Sequence, residues 1–209
     1  KFQNFNGKIV GFQKDHTPII WETSAEAFEE IAPTSGTIPK GNEVLSAYGR
    51  LWTFDETATV LHYSDLLIPD VWNDHDEPGS SGVIDLKSVW VYGRDTGVAI
   101  AAFNGFLVIF GKNSILIYAN PDDPSNMQLV EVIHGIGCVA RDSVATVGED
   151  LLFLSNSGVR SLGRVIQEKS LPLGEETKNI RDYLMKLVMS EDPDKIRTVY
   201  SEYEGFYLI

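Results

Sequence analysis

Phe106-Leu107-Val108-Ile109-Phe110-Gly111-Lys112-Asn113-Ser114-Ile115-Leu116-Ile117-Tyr118 is the stretch on which the fold turns. Two β-prone runs flank the polar turn Gly111-Lys112-Asn113-Ser114, the pattern of a hairpin. Both arms are continuously apolar rather than alternating, so both faces of the hairpin are expected to be covered. Similar hairpins recur on either side. Leu151-Leu152-Phe153-Leu154 and Val159-Arg160-Ser161-Leu162 flank Ser155-Asn156-Ser157-Gly158, and Arg50-Leu51-Trp52-Thr53-Phe54 precedes Thr59-Val60-Leu61-His62-Tyr63. Near the start, Lys8-Ile9-Val10-Gly11-Phe12 is expected to pair with Pro18-Ile19-Ile20-Trp21.

These hairpins share a lead-in of a small-residue strand and a Gly or Asn-Gly turn, as in Ser46-Ala47-Tyr48-Gly49 and Ala101-Ala102-Phe103-Asn104-Gly105. With Ile9, Leu51, Leu107, Leu151 and Phe206 taken as equivalent, the steps are 42, 56, 44 and 55 residues. Two of them match the roughly 40–50 residues of a four-stranded propeller blade, and the longer two contain insertions. The expectation is a mainly β chain, an incomplete β-propeller with about four to five blades over residues 1–209 and one inserted amphipathic helix. A β-sandwich with similar hairpins is the alternative architecture. The polar, turn-rich stretch 66–90 reads as an insertion loop. The stretch 172–190 reads as the inserted helix: Glu175 and Glu176 suit its first turn, and Ile180, Tyr183, Leu184, Leu187 and Val188 form an apolar stripe. A weaker helix is expected over Ser24–Ile31, with Ser24 as its cap and Pro33 beyond its end.

Charge and cysteine usage exclude several roles. Among 209 residues, 17 basic against 30 acidic leave a formal net charge of −13, the opposite of a surface built to grip phosphate or anionic lipid. No apolar run approaches the roughly 18 residues of a membrane-spanning helix. Cys138 is the single cysteine, so neither an internal disulfide nor a cysteine zinc cage can form, which fits synthesis in a reducing compartment. The polar start without an initiator Met, and an end within the β-like run Phe206-Tyr207-Leu208-Ile209, lead us to expect a piece of a longer chain.

Motifs of chemistry are sparse. His16, His62, His75 and His134 have no partner at metal or catalytic spacing, and the zinc-protease, nucleophile-elbow and phosphate-loop patterns are absent. Gly135-x-Gly137 reads as turns. Asp70, Asp74, Asp76 and Glu77 could offer oxygen ligands to Ca²⁺, but their spacing is not that of an EF-hand and such clusters are also ordinary solvated turns. No catalytic, cofactor-binding or metal residue is assigned. Of the tryptophans, Trp52 alternates within a strand and is expected in the core. Trp72, in the polar insertion, is expected to be exposed and, with Asp74, Asp76 and Glu77, is the candidate contact surface.

One resemblance sharpens this picture. Ala101-Ala102-Phe103-Asn104-Gly105-Phe106-Leu107-Val108-Ile109-Phe110-Gly111-Lys112-Asn113-Ser114 and His134-Gly135-Ile136-Gly137-Cys138-Val139-Ala140-Arg141-Asp142-Ser143-Val144 resemble segments of the tail tubular protein B family, the tail nozzle of short-tailed phages. The likeness is most specific over Val147-Gly148-Glu149-Asp150-Leu151-Leu152-Phe153-Leu154-Ser155-Asn156-Ser157-Gly158-Val159-Arg160-Ser161-Leu162, and is nearest to versions from phages of marine cyanobacteria. Ala47-Tyr48-Gly49-Arg50-Leu51-Trp52 and Tyr63-Ser64-Asp65 look like the preceding blade.

The resemblance implies a structural, non-enzymatic subunit of the virion tail. It implies a propeller core, a six-fold ring of identical copies below the portal, contacts to the tail adaptor and tail fibre proteins, and a channel through which DNA leaves. It brings no catalytic residues, no cofactors and no membrane insertion. An acidic channel that repels phosphate suits transit without binding. Two other classes compete: a propeller glycosidase or lyase, and a carbohydrate- or receptor-binding module acting on host cell-surface polysaccharide. Carboxylates clustered around the propeller axis beside exposed aromatics would favour the enzyme, and Trp72 with its acidic loop would serve the binding module.

Overall fold

The computed structural model describes residues 1–72, 80–90, 93–168 and 176–209. It is mainly β, a four-bladed propeller-like arrangement with two short helices among the described residues and a further hairpin at its end. Blade one is a meander of β1 (Phe2–Phe5), β2 (Lys8–Gly11), β3 (Ile19–Trp21) and β4 (Glu29–Glu30). Blade two contains β5 (Leu45–Ala47), β6 (Arg50–Phe54), β7 (Val60–Tyr63) and β8 (Gly82–Asp85). Blade three contains β9 (Gly97–Phe103), β10 (Phe106–Gly111), β11 (Ser114–Ala119) and β12 (Gln128–His134). Blade four has β13 (Ala145–Val147), β14 (Asp150–Ser155) and β15 (Gly158–Ser161), followed by α1 (Leu162–Glu168), α2 (Arg181–Ser190) and the hairpin β16 (Val199–Ser201) and β17 (Phe206–Leu208). None of the described helices is long and apolar enough to cross a membrane.

Strand periodicity explains why the sheets stack face to face. On β10, Leu107 and Ile109 join the core shared with blade two, whereas Val108 and Phe110 join the core shared with blade four. β11 repeats the alternation, with Leu116 facing one neighbour and Ile115 and Ile117 the other. A central strand between two blades must be apolar on both faces, and this produces the unbroken apolar arms. The same rule sends Leu51 toward blade one and Trp52 toward blade three. Successive first strands β1 and β5, and β5 and β9, are neighbours, as are β13 and β16, so the first strand of each blade lies innermost. The registers Ile9↔Trp21, Phe110↔Ile115 and Leu154↔Val159 match the expected hairpins. At Asn104-Gly105 and Asn6-Gly7 both turn residues take positive φ (48° and 80°, 49° and 75°), a backbone that Asn and Gly adopt most readily.

Several expectations are corrected. Ser24–Ile31 forms no helix: Glu29 and Glu30 pair with β3, and the Ile31 amide donates to the Pro18 carbonyl at 2.9 Å. An eight-residue helix is marginal on its own, so edge pairing wins. The stretch 66–90 is more than an insertion loop, because it supplies β8, the fourth strand of its blade. Of the expected inserted helix, 172–175 lie outside the described residues, 176–180 form turns, and α2 begins at Arg181. Just before it, the Glu176 amide donates to Val159 O (3.0 Å) and the Val159 amide to Thr177 Oγ1 (3.1 Å), so 176–177 occupy the free edge of β15. A second helix, α1, stands where none was expected, and Leu162 and Val165 bury it against blades three and four.

Candidate functional site

Of the residues expected to form a contact surface, Trp72 alone lies among the described residues, and it is not exposed. Trp72 is fully buried in the core between blades one and two; its ring packs on Phe12 (centroids 6.0 Å apart) and its Nε1 donates to Pro69 O at 2.7 Å. The chain folds back there: the Trp72 amide donates to Ser35 O, and Trp72 bridges to Ser64. An indole that fills a gap between blades gains more by burial than by exposure on a polar loop. Asp74, Asp76 and Glu77 lie outside the described residues, as does His75. Asp70 is engaged by the Thr34 hydroxyl. Among the described residues no group of three His, Cys, Asp or Glu side chains could hold a metal ion.

The larger cavities lie instead at one end of the blades. Two adjoining cavities of about 480 and 450 Å³ share Asn42, Arg141 and Asp194. One extends to Lys1, His16 and Arg197, the other to Lys14, Asp55 and Lys112. Blades one, two and three and the connectors to blade four and the last hairpin all contribute to this region.

At its centre is Glu43, in the connector before β5 and only 1 % exposed. Lys1 Nζ stands 2.6 Å from Glu43 Oε1, and Arg141 Nε stands 3.7 Å from Oε2. Among the described residues Oε2 has no hydrogen-bond partner. Arg141 also donates to the Asn42 carbonyl and grips Asp142 with two nitrogens, Nε at 3.0 Å and Nη2 at 2.8 Å. Asp142 in turn pairs with Arg197 (3.0 Å), and its carbonyl accepts from the amide and hydroxyl of Thr198. Asn42 Nδ2 donates to Asp194 at 3.3 Å. The connector from blade one to two is thereby clasped to the connector from blade three to four and to the segment leading into β16.

The electrostatics follow from burial. Desolvation pushes the Glu43 carboxyl up to about 7, against the pull of Lys1 and Arg141. Burial also opposes ionisation of Asp142, but Arg141 and Arg197 outweigh it and hold that carboxyl below its ordinary range. Cys138, buried nearby, has its thiol pushed up to about 12 by burial. Other carboxylates lining these cavities are spent on local structure. Asp55 accepts from the amides of Thr57, Thr59 and Val60, and Asp192 caps a 3₁₀ turn through the Asp194 amide. Sequence reasoning missed Glu43 because one acid before an apolar strand carries no motif. Arg141-Asp142 stood within a quoted segment without a role.

Strand order and alternating burial together define a β-propeller-like fold, and further comparison adds little to it. No protein-family model matches the chain, and no curated protein does. Two solved structures of the extracellular domain of BT4673 from B. thetaiotaomicron, one titled a one component system and the other a hybrid two component system, are similar to it. They share 12 % and 11 % identity at TM-scores of 0.41 and 0.38. Each match spans 77 % of this chain but only 26 % and 25 % of the solved chain.

Proposed function

We propose that this chain is a structural, non-enzymatic subunit of a phage tail tube or nozzle, of the tail tubular protein B type, acting in the virion as a ring of identical copies. The observation that carries the reading is the motif likeness from Ala101 to Leu162, the stretch that makes up blade three and the strands of blade four. How the acids are used supports it. Asp95 accepts from the amides of Thr96, Lys112 and Asn113 and from the Ser114 hydroxyl, and Asp150 from Leu151, Ser161 and Gly163. These carboxylates brace turns. In this reading the partners are further copies, the tail adaptor and the tail fibre protein, with DNA passing through unbound. Mass measurement in solution, alone and mixed with the adaptor, tests it. A stable complex is expected, and a monomer that never joins the adaptor overturns the assignment.

One observation favours a second reading, a propeller enzyme acting on cell-surface polysaccharide: several carboxylates line one cavity with Glu43, whose carboxyl burial pushes up to about 7, in the range that suits a general acid. The aromatic ring lining that cavity, Phe54, is buried rather than offered to a sugar. Polysaccharide cleavage by the wild type that is lost in Glu43→Gln would establish the enzyme. The absence of turnover is the result expected of a tail subunit.

A further inference from the structure

Two surface features outside the blade cores are opposite in shape and in charge. One is a groove of about 410 Å³, lined by Leu184, Leu187 and Val188 from α2 and by Ile196 and Ile209. Its charged lining is Lys195, Arg197 and Glu191, two bases to one acid. The other is a knob on blade one. That blade buries Phe5, Val10 and Phe12 against blade two. Phe2, in register with Gly11, lies on the opposite face, and its ring packs on Phe28 with centroids 5.7 Å apart. The two rings are 60 % and 46 % exposed, an unusual placement for stacked phenylalanines. Glu26, Glu29 and Glu30, all exposed, flank Phe28 along the chain, and the nearby Lys8 is taken up by Glu22.

We propose that the groove beside α2 receives the Phe2–Phe28 knob of a second copy of this chain. Stacked rings make a large, stiff apolar anchor, the kind of group that dominates a contact when it fills a pocket. The charges around the two features match in sign. Glu26, Glu29 and Glu30 beside the knob meet Lys195 and Arg197 beside the groove, with Glu191 the one like charge. Docking also covers what the single copy leaves wet: both rings, Leu187 and Ile209. Knob and groove are separate patches, so each contact joins different surfaces of the two copies. The pairing rests on the reading that copies of this chain assemble, and it names the faces that meet; the adaptor has no part in it.

Sedimentation of the chain alone tests it, from about 5 to about 500 μM, a range that brackets a micromolar contact. The mean mass of the wild type is expected to rise to twice the monomer value or more. Phe28→Asp removes the knob and keeps the groove, whereas Leu187→Asp spoils the groove and keeps the knob. Each variant alone is expected to stay at the monomer mass across the range. An equimolar mixture of the two is expected to reach the dimer mass, because one good knob and one good groove remain, and that rescue shows both variants folded. A wild type that stays monomeric overturns the pairing, as does either variant associating like the wild type, or a mixture that does not associate. A wild type that is monomeric alone yet joins the adaptor overturns the pairing and leaves the tail assignment standing. Association by these faces without adaptor binding does the reverse.

Discussion

Single side chains here do more to join blades than to present chemistry. Trp72 shows it. Truncation to Ala would empty a fully buried site between blades one and two, and is expected to cost about 3–5 kcal/mol. Trp72→Phe, which keeps a ring against Phe12, should recover more than half of that in urea denaturation. A Trp72→Ala protein as stable as the wild type would show that the ring does not fill the core. Asp95 acts through hydrogen bonds instead. Its carboxylate holds both amides of the turn between β10 and β11 at 2.9 and 3.0 Å. Asp95→Ala takes this acceptor from the Asn113 amide and the Ser114 hydroxyl, while the Lys112 amide keeps the Thr96 carbonyl at 3.2 Å, and a loss of about 3 kcal/mol is expected from hydrogen bonds to a charged group. Asp95→Asn, which keeps one acceptor oxygen, should fall between.

Elements whose own residues dictate their form were legible in the sequence; those settled by a neighbour were not. The β10–β11 hairpin could be read because unbroken apolar arms leave a strand no choice but two covered faces, and both are covered. The start of α2 could not, since Glu176 and Thr177 are held by the edge of β15, a contact more than fifteen residues away in sequence. Trp72 was misjudged for the same reason: its polar neighbours describe the loop, while Phe12 and Ser35 decide its burial. Glu43 lies between connectors, where sequence has no period to follow. The α2 stripe was only half right. Leu184 and Val188 are buried against Leu154 and Val159, whereas Ile180 and Leu187 are about half exposed. This division predicts that Leu184→Asp destabilises by more than about 2 kcal/mol, by placing a charge in an apolar contact. Leu187→Asp should stay within about 0.5 kcal/mol of the wild type by urea midpoint, as expected of a surface position. Equal losses at both positions would mean that both faces of α2 are packed.

For the molecule as a whole, the charge of −13 and the buried clasp act in the same direction with pH. Two kinds of carboxylate set the profile. Asp142 and Asp55 are held below the ordinary aspartate value of 3.8, Asp142 against burial by Arg141 and Arg197, and Asp55 against burial by hydrogen bonds from Thr57, Thr59 and Val60. Their folded forms bind protons less readily than the unfolded chain, so the stability they contribute is present above pH 3.8 and is lost as pH falls through their lowered values. Glu43 has the opposite sign. Raised from 4.5 to about 7, it keeps its proton in the fold while the unfolded chain gives it up, so folding loses stability as pH rises between those values. The gap corresponds to about 3 kcal/mol. General repulsion among the excess acids adds to that loss above the isoelectric point near 4.6. Stability is therefore expected to peak near pH 5 and to fall by a few kcal/mol toward pH 8, measured by urea unfolding at low protein concentration. Salt separates the two contributions: surface repulsion is screened over roughly 8 Å at 0.15 M, whereas a charge buried with Lys1 and Arg141 is screened far less. Added salt should thus recover part of the loss at pH 8 in the wild type, and Glu43→Gln should recover the remainder. A wild-type profile that is flat from pH 5 to 8, or one that salt alone levels, would show that Glu43 is hydrated in the folded protein.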